Sequence, residues 1–189
     1  MPNADLPILI VDDAKFSGAV IGRTLKSAGY TDVRTANSAP QGLSMLEERP
    51  VNVLIADWLM PEMDGLELAS RVRQLDEATN HFTYIILLTA KEGSKALIDA
   101  FDNGVDDFVN KSTMTQQLLP RIYAADRIAA MQNRLLKENQ LLIESNQKLR
   151  KNSLLDPLTG LGNRQYAFRR LADTIRHAET RGGAACLML

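Results

Sequence analysis

The sequence predicts an α/β protein built on a doubly wound, five-stranded parallel sheet. Two observations carry that prediction. Five short apolar runs alternate with stretches of helical period up to Asn110, the pattern of a parallel sheet covered on both faces. Polar side chains able to do chemistry follow four of those runs. Open α/β folds form their sites there, at the carboxyl ends of strands near a switch in strand order.

The elements follow in turn. "PILIV" at 7–11 is the first strand, closed by Asp12 and Asp13. A helix with Phe16, Val20, Ile21 and Leu25 on one face comes next and ends near Gly29. "DVRTA" at 32–36 is the second strand, and Ser38 reads as the N-cap of a helix through Leu43 and Leu46. "VNVLIA" at 51–56 is the third, leading into Asp57 and Trp58. After a turn at Pro61–Gly65, Leu66, Leu68, Ala69 and Val72 mark another helix face. "YIILLT" at 84–89 is the fourth strand, and Ala96 to Asp102 a short helix stopped by Asn103-Gly104. "DDFVN" at 106–110 is a fifth, weaker strand, followed by Lys111.

Bulk composition narrows the classes. A chain of 189 residues, 45% hydrophobic and 24% charged, has room for one domain and a fragment, or for two small domains. Its net charge of -1 provides no field to hold a nucleic-acid backbone or an acidic membrane. The single cysteine, Cys186, has no internal disulfide partner. No apolar run approaches the roughly 20 residues of a spanning helix, and the N-terminus lacks a signal-peptide pattern. A soluble, cytoplasmic protein without nucleic-acid or membrane partners is expected.

The strand-end residues carry the chemistry. Carboxylates gathered together repel and need a cation or a proton among them. A compact set of oxygen ligands suits Mg²⁺, which keeps several waters and binds through one or two carboxylates. Asp57 is then placed as a nucleophile able to form an acyl phosphate. The Thr89 hydroxyl and the Lys111 ammonium can meet phosphoryl oxygens. Singly, each residue has a plainer account as a helix cap, a strand end or a surface charge. Together, at the ends of separate strands, they form a constellation.

"ILIVDD", "ADWLMPEMDG", "LLTA" and "DDFVNKS" resemble the receiver domain of two-component response regulators, over about residues 6–125. The resemblance implies a flavodoxin-like fold in which Asp57 accepts a phosphoryl group from a histidine kinase. It implies that Asp12, Asp13 and Asp57, with the backbone carbonyl of Leu59, surround Mg²⁺, and that Thr89 and Lys111 contact the phosphoryl group. Phe108 stands at the switch aromatic and, lacking a hydroxyl, can swing without hydrogen-bonding. Ser112 follows the lysine where the family usually has proline.

From Ser112 to Ser153 there is no glycine and one proline, Pro120, where a helix is expected to start or bend. Ile128, Leu135, Leu142 and Leu149 recur every seven residues. With these at d, the a positions are Ala125, Gln132, Asn139 and Asn146. Leucine at d with buried asparagine at a is the pattern of a parallel two-stranded coiled coil, and a lone solvated helix is the alternative. The expected organisation is a receiver at 1–120, a coiled-coil linker at 121–153 and a third segment at 154–189.

In that third segment Tyr166, Phe168, Leu171 and Ile175 line a helix ended by Gly182-Gly183, and "AACLML" opens a strand that buries Cys186. "DPLTGLGNR" at 156–164 resembles the opening of GGDEF domains, the units of diguanylate cyclases that join two GTP molecules into cyclic di-GMP. By that resemblance Asp156 and Arg164 brace the opening turn, while Gln165 stands where an arginine is common. The sequence stops before the family's first metal-binding aspartate and its signature loop. This stretch therefore reads as the truncated start of such a domain, with no cyclase catalytic residue and GTP relevant only to the missing part. His81 and His177 read as surface or packing residues. The expected function is a response regulator controlling a cyclase output through a homodimeric helix, with no enzyme activity in this chain. The alternative is a constitutive dimerisation scaffold.

Overall fold

A computed structural model of the chain describes residues 3–90, 100–152 and 154–184. Contacts divide it into two units, with the boundary after Glu138.

In the first unit five strands, β1 (Ile8–Val11), β2 (Val33–Ala36), β3 (Val53–Asp57), β4 (Tyr84–Thr89) and β5 (Asp107–Asn110), form one parallel sheet. The order is β2-β1-β3-β4-β5, so the chain reverses its direction of travel across the sheet between β1 and β3. Ile10 lies beside Ile55, and Ile55 beside Ile86. Alternate residues of the apolar runs serve opposite faces. Leu9, Val11, Leu54, Ala56, Ile85 and Leu87 join one core, and Ile8, Ile10, Val53, Ile55, Ile86 and Leu88 the other. Both layers are covered, which is why these strands read as unbroken hydrophobic runs rather than alternating ones.

The helices α1 (Lys15–Ser27), α2 (Ala39–Glu48) and α3 (Gly65–Thr79) fall where the periodicity predicts. Ser38 caps α2, its side chain accepting from the Gln41 amide at 3.4 Å. Asp64 caps α3 more tightly, with Oδ1 accepting from Leu66 N at 3.0 Å and Glu67 N at 2.9 Å. Phe16 departs from expectation: it is 84% exposed rather than on the core face of α1. The buried face is Gly18, Ile21, Gly22 and Leu25, an i, i+3, i+4, i+7 set whose two glycines hide it from a hydrophobic pattern. Of the expected helix from Ala96 to Asp102, positions 96–99 lie outside the described residues. Residues 100–102 are helical, and Gly104 turns the chain at φ 86°.

A long helix runs from Met114 to Asn152. It does not begin at Pro120, which lies inside it; the helix starts at Met114, earlier than the proline suggested. Leu118, Ile122, Ala125 and Ala129 are buried against the face of the sheet that also carries Ile8 and Ile10. Ala125, expected in a coiled-coil seam, belongs instead to this core. A small residue at helical period serves either partner, and here the sheet takes it. Ile128, Leu135, Leu142 and Leu149 are all exposed.

In the second unit Asp156 organises a turn, with Oδ1 accepting from Leu158 N, Thr159 N and Thr159 Oγ1 at 3.1, 2.9 and 2.9 Å. These bonds hold its carboxyl below the usual aspartate range. Gly160 closes the turn at φ 70°, and Leu155 and Gly162 form an antiparallel bridge. Arg164 opens the helix that follows the turn. Its guanidinium lies over the Phe168 ring, 5.4 Å from the centroid, and no ion pair joins it to Asp156 among the described residues. The helix Arg164–Arg181 ends on Gly182 in the left-handed region, as expected, and buries none of its residues. The expected strand from Ala184 to Leu189, with Cys186, lies outside the described residues except for Ala184. No helix among the described residues is long and apolar enough to cross a membrane.

Candidate functional site

The sheet brings the strand-end residues together. Asp12 follows β1, Asp57 ends β3 and Thr89 ends β4, and all three are buried, while Asp13 is exposed. Oxygens of Asp12, Asp13 and Asp57 lie within 4.8 Å of one another. They converge beside the reversal between β1 and β3, where an open parallel sheet leaves a crevice.

Lys111 enters from the last strand. Its Nζ donates to Asp57 Oδ2 at 2.6 Å, and its amide donates to Thr89 O at 2.8 Å. The turn that aims it is held by Asn110, whose Oδ1 accepts from Ser112 N at 2.9 Å and Ser112 Oγ at 2.7 Å. The Lys111–Ser112 peptide is trans. Ser112 thus contributes two donors where proline would contribute none. Across the site, the Leu59 amide donates to Asp57 Oδ1 at 3.3 Å. Trp58 is buried, with its amide on Leu88 O at 3.0 Å. Phe108 is partly buried and meets Phe101 edge-on, with centroids 5.9 Å apart.

When ionised, three carboxylates and one ammonium leave a formal charge of -2. The arrangement invites a divalent cation. One atom supports the fit: Asp12 Oδ2 is buried and has no hydrogen-bond partner, a costly state for a polar atom. Asp12 Oδ1 already serves the Ala14 amide at 2.8 Å. An all-oxygen donor set of this size matches Mg²⁺.

The profile of the response regulator receiver domain matches residues 8–123. The chain belongs to that family. Its receiver is 34% identical over 120 residues to the chemotaxis protein CheY1 of Helicobacter pylori, covering 62% of this chain and 94% of that one. The receiver domain of the histidine kinase CKI1 from Arabidopsis thaliana, solved in complex with Mg²⁺, is similar in structure. Its TM-score is 0.56 at 28% identity, over 63% of this chain and 90% of that one. A solved protein described as a probable two-component system response regulator/GGDEF domain protein has a TM-score of 0.60 over 68% of this chain and 52% of its own. At 23% identity that likeness is one of fold.

Sequence reading alone passes over two contributors to the receiver site and one ion pair that ties the long helix to the sheet. Gly65 packs against the Asp57 backbone, Asn110 folds the lysine turn, and Arg121 of the long helix pairs at 2.7 Å with Asp107, the first residue of β5. The signals were a glycine closing "PEMDG" and the spacing of "NKS"; Arg121 left none.

Proposed function

We propose that Asp57 is the phosphoryl acceptor of this receiver, taking the group from a histidine kinase. The carrying observation is the Lys111 ammonium, 2.6 Å from the Asp57 carboxylate inside an acidic cluster. In the transfer an O–P bond forms at the Asp57 carboxylate while the N–P bond of a phosphohistidine breaks, its electron pair staying on the imidazole nitrogen. Asp12, Asp13 and Asp57, with the Leu59 carbonyl, hold Mg²⁺, which neutralises charge on the transferring group when bound. The Asp57 carboxylate supplies the nucleophile. Lys111 and Thr89 meet the oxygens of the incoming group, and Phe108 is the side chain that repositions afterwards.

The output reading rests on the second unit. The turn at Asp156, followed by the Asn163-capped helix, supports the start of a GGDEF domain whose complete form makes cyclic di-GMP from GTP. The exposed stripe of Leu135, Leu142 and Leu149, with Asn139 and Asn146 beside it, supports a parallel homodimer in the cytoplasm. Such a dimer would bring two output domains side by side. The intact acidic site favours this regulator over a scaffold that never handles phosphate.

Intact-mass measurement with acetyl phosphate and Mg²⁺ tests the acceptor. One phosphoryl group is expected on the wild-type chain and none on Asp57→Asn. Persistent labelling of that variant would overturn the assignment.

A further inference from the structure

We propose that Asn133 is a positioning residue, a latch that fixes the rotation of the long helix against the receiver and conveys the state of Asp57 to it. The idea rests on the function proposed above. The Asn133 carboxamide engages both backbone groups of one residue: Oδ1 accepts from Phe82 N at 2.7 Å, and Nδ2 donates to Phe82 O at 2.9 Å. Phe82 precedes β4, the strand that ends on Thr89 at the acid cluster. Every residue of β4 is buried, so about 20 Å of packed strand joins the latch to the site.

The latch adds a second directional contact to the interface, further along the helix than the ion pair of Arg121 with Asp107. Leu118, Ile122, Ala125 and Ala129 seat the helix through apolar contact, which is non-directional, and two of these four are alanines with little shape to resist rotation. The paired amide bonds are directional. At about 100° per residue, these four and Asn133 share one face, and the stripe of Ile128, Leu135 and Leu142 is turned away from it by roughly 120°. A slip of one residue would swing that stripe toward the sheet. Beyond the half-buried Leu136, every side chain from Lys137 to Leu149 is exposed, so the latch lies near the end of the buried stretch of the helix.

The anchor is itself braced. Arg73 Cζ lies 5.0 Å from the Phe82 ring centroid, and Arg73 Nη1 donates to Thr83 O at 2.6 Å. Thr83 Oγ1 donates to Asp76 Oδ1 at 2.8 Å. The segment entering β4 is thus held by α3 from one side and by the long helix from the other.

Hydrogen–deuterium exchange on the full chain, with and without acetyl phosphate and Mg²⁺, tests the latch while intact mass reports Asp57 occupancy. In the wild-type chain the Phe82 amide should be protected, and phosphorylation should alter exchange over residues 126–140. Asn133→Ala should take up the phosphoryl group at the wild-type rate. Its Phe82 amide should exchange at least ~10-fold faster, a factor equivalent to 1.4 kcal/mol, and its helix should no longer respond to phosphorylation. Asn133→Asp keeps the acceptor for Phe82 N and loses the donor, so it should fall between the two, and it serves if the alanine variant does not fold. A variant that is phosphorylated and whose helix responds like the wild type would overturn the proposal. If the wild-type chain takes up no phosphoryl group, the functional reading fails instead. The latch then stands or falls on the resting protein, where unchanged Phe82 exchange in Asn133→Ala would overturn it.

Discussion

Gly65 and Asp57 are in such close approach that a Cβ on the glycine would lie 2.5 Å from the Asp57 carbonyl oxygen. The same Cβ would meet Leu87 Cδ2 at 2.9 Å and Trp58 Cα at 3.0 Å, and the Gly65 amide donates to Trp58 O at 2.9 Å. Two of those neighbours are backbone, which cannot swing aside. Gly65→Ala should therefore displace the end of β3, destabilise the chain by about 1–3 kcal/mol and slow phosphoryl uptake. Thermal melting and a time course by intact mass check both effects.

Lys111 and a bound divalent cation would share the Asp57 carboxylate and carry like charge. Lys111→Ala should accordingly tighten Mg²⁺ binding while slowing phosphoryl uptake, by roughly 10²-fold if it acts as a single preorganised donor to the transferring group. Calorimetry with Mg²⁺ and a mass-resolved time course separate the two effects. Both changing in the same direction would contradict the role given to the lysine.

Asp13 is the exposed member of the carboxylate trio, so its replacement should disturb the core least. A unit charge about 4 Å from an ion is worth roughly 4 kcal/mol per unit charge near a protein surface. Asp13→Ala should weaken Mg²⁺ binding by at least ~10-fold with little change in melting temperature. Trp58, the only tryptophan, adjoins Asp57, and its fluorescence should report the titration.

Asp156 titrates below the ordinary aspartate value because Thr159, through its amide and hydroxyl, and the Leu158 amide bond to the ionised form. A depressed folded pKa means that the turn gains support above the unfolded value and loses it as pH falls through the folded one. Carboxyl-carbon NMR should show the low midpoint. Thr159→Ala should move it upward, and amides near Gly160 should lose protection at acid pH.

Leu142 is 63% exposed, midway along the stripe proposed to pair two copies. Leu142→Glu should drive the protein toward monomer in sedimentation at low micromolar concentration without changing acetyl phosphate labelling of Asp57. A fully dimeric variant would remove the helix from the account of the dimer.

The sequence by itself determined what is local. Unbroken apolar runs announced strands covered on both faces, Ser38 announced its cap, and Asp12, Asp57 and Thr89 stood at strand ends because polarity changes there. Gly182 announced the end of its helix. Tertiary structure decided everything that depends on which surface meets which. Strand order, and with it the convergence of Asp12, Asp57 and Lys111, comes from long-range pairing that no window of residues contains. The exposure of Phe16 follows from two glycines forming the packed face of α1. Ala125 fits a coiled-coil seam as well as it fits a sheet, and only the sheet beside it chose. Asn133 reads as one more polar residue on a polar helix until Phe82, far away in sequence, is found against its carboxamide. Periodicity reports that a face is to be buried; the partner that buries it is fixed by the fold, because contact energy belongs to pairs of surfaces and a sequence supplies only one surface at a time.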